Sequence, residues 1–147
     1  MGKIFLSTEG EINPLHVGVP LEYSRESTVI FECPICKQTG QFPLVTGGLK
    51  EVGTIDLKFP NTSEYTLFEL RKFANKFGLL EQTYPKTGIH SFQYETAYGR
   101  KEAFIKLYRC KTCNSELAFC FTAYGDFSRF PGQNIILIGV EIFQTIK

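Results

Sequence analysis

The stretch Val29-Ile30-Phe31-Glu32-Cys33-Pro34-Ile35-Cys36 joins an apolar run to two cysteines separated by two residues. The construction returns in Ile105-Lys106-Leu107-Tyr108-Arg109-Cys110-Lys111-Thr112-Cys113. In both, a strand-forming run delivers the chain into a CxxC turn. Such a turn aims two thiolates at one point, and two turns complete a tetrahedron around zinc with metal–sulfur bonds of ~2.3 Å. Thiolates are soft donors, so a four-sulfur set suits zinc far better than magnesium or calcium. Cys33, Cys36, Cys110 and Cys113 are therefore the expected ligands of one structural zinc ion. Four thiolates close the coordination sphere, whereas catalytic zinc keeps an open position for water.

The two knuckles resemble those of the zinc-ribbon group, in which paired CxxC turns sit on β-hairpins. The resemblance covers about ten residues around each knuckle. Lys37 and Asn114 stand where ribbons often carry glycine and the chain turns left-handed, a conformation Asn tolerates better than Lys. The separation departs from the group: 73 residues lie between Cys36 and Cys110, against a usual ~12–20. One domain spanning 1–147 is expected, with 37–109 inserted between the knuckles; a clip grafted onto another fold would give the same spacing. Two other uses of CxxC compete. A redox pair would open a helix, but Lys37, Gln38, Thr39, Gly40 and Gln41 show no helical period. Two separate disulfides need an oxidising compartment.

Apolar alternation continues along the rest of the chain and predicts strands at Ile4–Thr8, Thr28–Cys33, Gln41–Thr46, Lys50–Phe59, Ile89–Tyr98, Ala103–Arg109, Glu116–Tyr124 and Asn134–Gln144. Gly47-Gly48 reads as a tight hairpin and Gly99-Arg100-Lys101 as a second connection. One segment has a different period. Leu67, Leu70, Phe73, Ala74 and Phe77 fall on one helical face, with Thr62 or Ser63 as cap and Gly78 as stop. That predicts one amphipathic helix of about four turns, packed on a sheet. The fold class is α+β: a mainly antiparallel β-sheet with one amphipathic helix, clipped by a four-cysteine zinc site.

Composition limits the function classes. The chain has 147 residues and is 43% hydrophobic, too apolar for disorder. Its longest apolar run, Ile135–Val140, suits a strand and not a membrane span of ~20 residues. Met1-Gly2-Lys3-Ile4-Phe5-Leu6-Ser7 lacks the ~7–15-residue apolar core of a secretory signal. Leu6 stands where acylation requires Ser or Thr. With the cysteines in CxxC pairs as well, the expected location is the reducing cytoplasm. The net charge of +1 hides a segmental imbalance: −4 over residues 1–69, +6 over 70–115 and −1 over 116–147. Cations of the positive block are interleaved with aromatics. Arg71, Lys72, Lys76, Tyr98, Arg100 and Lys101 are the residues a macromolecule would meet there. The competing reading puts the aromatics in the core and the cations on the wet face.

No nucleophile elbow, phosphate loop, dinucleotide fingerprint or HExxH is present. His16 and His90 have no partner at a telling spacing, and Cys120, inside Leu117-Ala118-Phe119-Cys120-Phe121, reads as a small buried hydrophobe. Fourteen Phe and seven Tyr exceed what a small core requires, which suits an interaction surface. Tyr124, Phe127 and Phe130 are the aromatics expected in an exposed loop. The expectation is a zinc-stabilised, non-enzymatic protein that binds another protein as regulator, inhibitor or adaptor. Its first rival is nucleic-acid binding through 70–115, the work many zinc ribbons do; its second is an enzyme whose site is assembled from distant residues.

Overall fold

A computed structural model describes residues 3–8, 11–23, 26–45, 54–56, 58–59, 66–125 and 133–144. In chain order the strands are β1 (Ile4–Thr8), β2 (Glu11–Pro14), β3 (Pro20–Tyr23), β4 (Glu26–Glu32), β5 (Thr39–Val45), β6 (Thr54–Asp56) and β7 (Lys58–Phe59). Helix α1 (Leu67–Phe77) follows, and then β8 (Leu80–Tyr84), β9 (Ile89–Thr96), β10 (Gly99–Arg109), β11 (Glu116–Gly125) and β12 (Gln133–Gln144). They form a four-stranded sheet, β2-β1-β4-β5, and an eight-stranded sheet built on β3-β12-β11-β10-β9. Every pairing between these strands is antiparallel. At the far end β9 carries β8 on its outer side, while β6 lines β10 and β7 lines β9 where those two strands part.

Period-two alternation decides the layers. Along β11, Leu117, Phe119 and Phe121 join Phe104, Ile135 and Leu137 against Ile4, Leu6, Val29, Phe31 and Phe42 of the small sheet. Ala118 and Cys120 point the other way, with Ala103, Ile105 and Ile138, onto Leu70, Phe73, Ala74 and Phe77 of α1. The molecule is thus three layers, small sheet on large sheet on helix, and the large sheet is covered on both faces. A register shift at Cys120/Phe121 leaves Ile138 as an extra residue in β12. Gly139 beside it admits the Phe77 ring, which would lie 3.1 Å from a Cβ at that position. Among the described residues, eight of the chain's fourteen phenylalanines are buried in these layers. That accounts for much of the aromatic excess.

The helix differs from expectation at its start. Its cap is Thr66, not Thr62 or Ser63, and it has 11 residues, about three turns. Thr66 Oγ1 accepts from the Glu69 N–H at 3.1 Å, and Glu69 Oε1 accepts from the Thr66 N–H at 3.0 Å. This reciprocal capping box satisfies two helix-end donors at once. Gly78 ends the helix with φ 67°, as its position suggested. The expected strand Lys50–Phe59 is only β6 and β7 among the described residues, and these run in opposite directions. Three strands went unpredicted: β2, β3 and β8 are short, and their apolar residues are few or face solvent. The Gly47-Gly48 hairpin and residues 126–132 of the expected aromatic loop lie outside the described residues. The other expected turn is Ala97-Tyr98, with Gly99 following at φ 99°.

Candidate metal centre

Each knuckle is the turn of a hairpin. Cys33–Cys36 joins β4 to β5 in the small sheet, and Cys110–Cys113 joins β10 to β11 in the large one. Their local geometry is nearly the same. The Cys33 N–H donates to the Gln38 carbonyl at 2.9 Å and the Lys37 N–H to the Cys33 carbonyl at 3.0 Å. The Cys110 N–H donates to the Ser115 carbonyl at 2.8 Å and the Asn114 N–H to the Cys110 carbonyl at 2.9 Å. Lys37 (φ 65°) and Asn114 (φ 61°) are both left-handed, which closes each turn despite the absence of glycine.

The two turns face one another across the end of the sandwich. Sγ of Cys33 lies 3.8 Å from Sγ of Cys113, and Sγ of Cys36 lies 3.5 Å from Sγ of Cys110. All four sulfurs fall within 4.8 Å of each other. A tetrahedron with ~2.3 Å metal–sulfur bonds has sulfur–sulfur edges of ~3.8 Å. The donor set therefore fits a metal ion held by four cysteines. Cys33 and Cys110 are buried while Cys36 and Cys113 face outward more.

Hydrogen bonds tune the sulfurs unequally. The Ser115 hydroxyl and then its N–H stabilise the Cys113 thiolate, bringing its pKa down to about 6 against opposing desolvation. The Gln38 N–H acts likewise on Cys36, yet desolvation and the sulfurs of Cys110, Cys33 and Cys113 outweigh it and push that thiol up to about 12. Of the two outer sulfurs, Cys113 therefore carries charge more readily and Cys36 keeps its proton more readily. A metal ion reverses that logic by deprotonating its thiol ligands. Gln38 and Ser115 were not singled out in the sequence. Gln38 acts through its backbone N–H, which side-chain identity does not reveal, whereas Ser115 acts first through its hydroxyl, two residues after Cys113. Beneath the knuckles the Phe31 ring meets Tyr108 edge-on at 5.0 Å and Phe119 at 4.8 Å, and Phe42 meets Phe119 at 5.0 Å. These rings join the sheets just inside the sulfur cluster.

The other singled-out residues lie on two elements. On α1, Arg71 is tied to Glu81 of β8 by two hydrogen bonds of 2.9 and 3.0 Å. Glu81 also accepts His90 Nδ1 at 2.7 Å. Arg71, chiefly, and His90 hold the Glu81 carboxyl below its usual range. Lys72 sits over the exposed Phe68 ring at 4.7 Å, and with Glu69, Phe73 and Lys76 it lines a cleft of about 280 Å³. Tyr98 is 71% exposed at the β9–β10 turn, with Arg100 and Lys101 starting β10. Two more cations of the basic block have other surroundings: Arg109 pairs with Glu116 at 3.1 Å. Lys106 points between the sheets toward Phe42, and burial lowers its pKa. Cys120 is fully buried under α1, where desolvation raises its thiol pKa. No helix among the described residues is long and apolar enough to cross a membrane.

Fold and site together define an α+β protein of two antiparallel sheets and one helix, with a four-cysteine cluster able to hold a metal ion where the sheets meet. No family model, curated protein or solved structure matches the chain.

Proposed function

We propose that the chain is a single zinc-stabilised domain that works, without catalysis, by binding another protein as regulator, inhibitor or adaptor. The observation that carries this reading is the closed four-sulfur set bridging the two sheets. Four thiolates around zinc leave no place for a reactive water, so the ion holds the sheets together and does no chemistry. A protein partner is supported by exposed apolar side chains: Ile12 on β2 at the edge of the small sheet, and Val17 and Val19 where the chain crosses to β12 and β3 of the large sheet. The same segment borders a cleft of about 460 Å³ lined by Lys3, Ile4, Phe5, Pro14, Leu15 and His16. Reduced thiols in the cluster suit a cytoplasmic setting.

Affinity capture from native extract, with metal and nucleic acid measured on the same sample, tests the reading. One zinc per chain and a stoichiometric protein partner are expected. Iron in place of zinc would overturn the metal assignment. Turnover of a substrate, lost on a point substitution that leaves the fold intact, would overturn the non-enzymatic role. One observation favours a second reading, nucleic-acid binding: the largely exposed Tyr98 ring stands beside Arg100 and Lys101. It requires binding that weakens steeply with salt and again in Arg100→Glu/Lys101→Glu. Absence of binding to single- and double-stranded probes at low salt would dismiss it.

A further inference from the structure

Among the described strands, β2 and β5 in the small sheet and β3 and β8 in the large one are the four outer strands of four or more residues; β6 and β7, of three and two residues, also have a single neighbour each, in the fork between β10 and β9. An outer strand offers unpaired N–H and C=O groups to any other strand, and proline is a common way to block that pairing. Proline stands in three of the four: Pro14 in β2, Pro20 in β3 and Pro43 in β5. In contrast β8, Leu80-Glu81-Gln82-Thr83-Tyr84, contains neither proline nor lysine, and among the described strands it pairs only with β9. It also presents apolar side chains, with Leu80 39% and Tyr84 44% exposed.

We propose that β8 is a homotypic interface, on which a second copy of this chain adds its own β8 antiparallel across a two-fold axis at Gln82. The five residues complement their own reverse. Leu80 then lies opposite Tyr84 of the second copy, twice, so both exposed apolar side chains gain an apolar neighbour. Gln82 meets Gln82, two amides that can donate and accept in turn. Glu81 meets Thr83, so no like charges stand opposed, and Arg71 already neutralises Glu81 within its own chain. Cross-strand pairs of this kind are what stabilise adjacent strands, and an isologous two-fold contact closes after two copies. The two large sheets become one continuous sheet. This association rests on neither the identity of the metal nor that of the protein partner.

Sedimentation velocity of the full, metal-loaded chain over a concentration series tests it, with circular dichroism and metal content reporting the fold of each variant. The wild type is expected to dimerise. Leu80→Lys/Tyr84→Lys sets lysine against lysine twice and is expected to weaken dimerisation by about tenfold or more. Leu80→Glu/Tyr84→Lys sets opposite charges against each other in the same register and restores the dimer. As an independent measurement, Gln82→Cys should give a disulfide-linked dimer on mild oxidation, well beyond the wild type and beyond Thr87→Cys in the adjacent turn. A wild type that stays monomeric, a double-lysine variant that dimerises as well as the wild type, or no crosslink at Gln82→Cys overturns the proposal.

Discussion

Gly40 illustrates how much a single residue can decide near the metal centre. It pairs with Phe31 in the β4–β5 ladder, and a Cβ at that position would come within 2.6 Å of the Phe31 ring. That ring in turn packs on Tyr108 and Phe119 of the large sheet. Gly40→Ala should therefore destabilise the protein by about 1–3 kcal/mol, as overpacking typically does. Denaturant unfolding measures the loss, and Gly40→Ala/Phe31→Leu should recover part of it. Glu81 provides a second test at this scale. Its carboxyl titrates below the ordinary value because Arg71 and His90 favour the charged form. The linked stability is fully present above the unfolded glutamate pKa of ~4.3 and is lost as pH falls through the lower folded value. The pair is partly exposed, so Glu81→Gln should cost no more than about 1 kcal/mol at neutral pH. In urea unfolding at a series of pH values, that difference should vanish in acid.

At the scale of the element, α1 is stabilised at both ends and along one face. Thr66→Ala removes the side-chain half of the capping box and should cost about 1 kcal/mol. Leu70→Ala empties a fully buried site between helix and sheet and should cost about 2–5 kcal/mol. Thermal unfolding of the two variants should rank them in that order. The buried face was legible in the sequence because Leu70, Phe73, Ala74 and Phe77 recur with the helical period. The cap was legible too, although hydroxyls at Thr62 and Ser63 pointed elsewhere: of the three, only Thr66 has a glutamate three residues on, Glu69, to close the box. The long strands were legible for the same reason as the helix face, with β1 matching Ile4–Thr8. The edge strand β8 was not, because at an edge its solvated side chains carry no burial pattern.

For the whole molecule, the sulfur cluster ties together the ends of two sheets that pack through their side chains. Metal in such sites can contribute about 10–16 kcal/mol in small peptides, comparable to the entire stability of a domain. Closing a loop of 73 residues also removes roughly 4 kcal/mol of unfolded-chain entropy. Cys110→Ser, or chelation of the metal, should accordingly unfold most of the chain. An unchanged melting curve for that variant would refute a stabilising metal. Uptake of metal by the metal-free chain should also release protons, detectable with a pH indicator, because at least the Cys36 thiol must give one up.

The local structure was determined by the sequence alone: two CxxC turns, each closing an alternating strand, and one amphipathic helix ended by Gly78. These follow from short-range rules, in which side-chain period, thiolate chemistry and backbone handedness act within a few residues. Only the tertiary structure decided that the knuckles belong to different sheets. The intervening chain supplies strands of both sheets together with the helix, so the long separation reflects the path needed to reach the second sheet. Which sheet a strand joins depends on pairing and burial between distant segments, and hydrophobic period is the same in either. Tertiary structure likewise divided the basic block, turning Lys106 toward Phe42 between the sheets and tying Arg71 to Glu81. A charge count along the chain cannot register such partners, because they come from elsewhere in the fold.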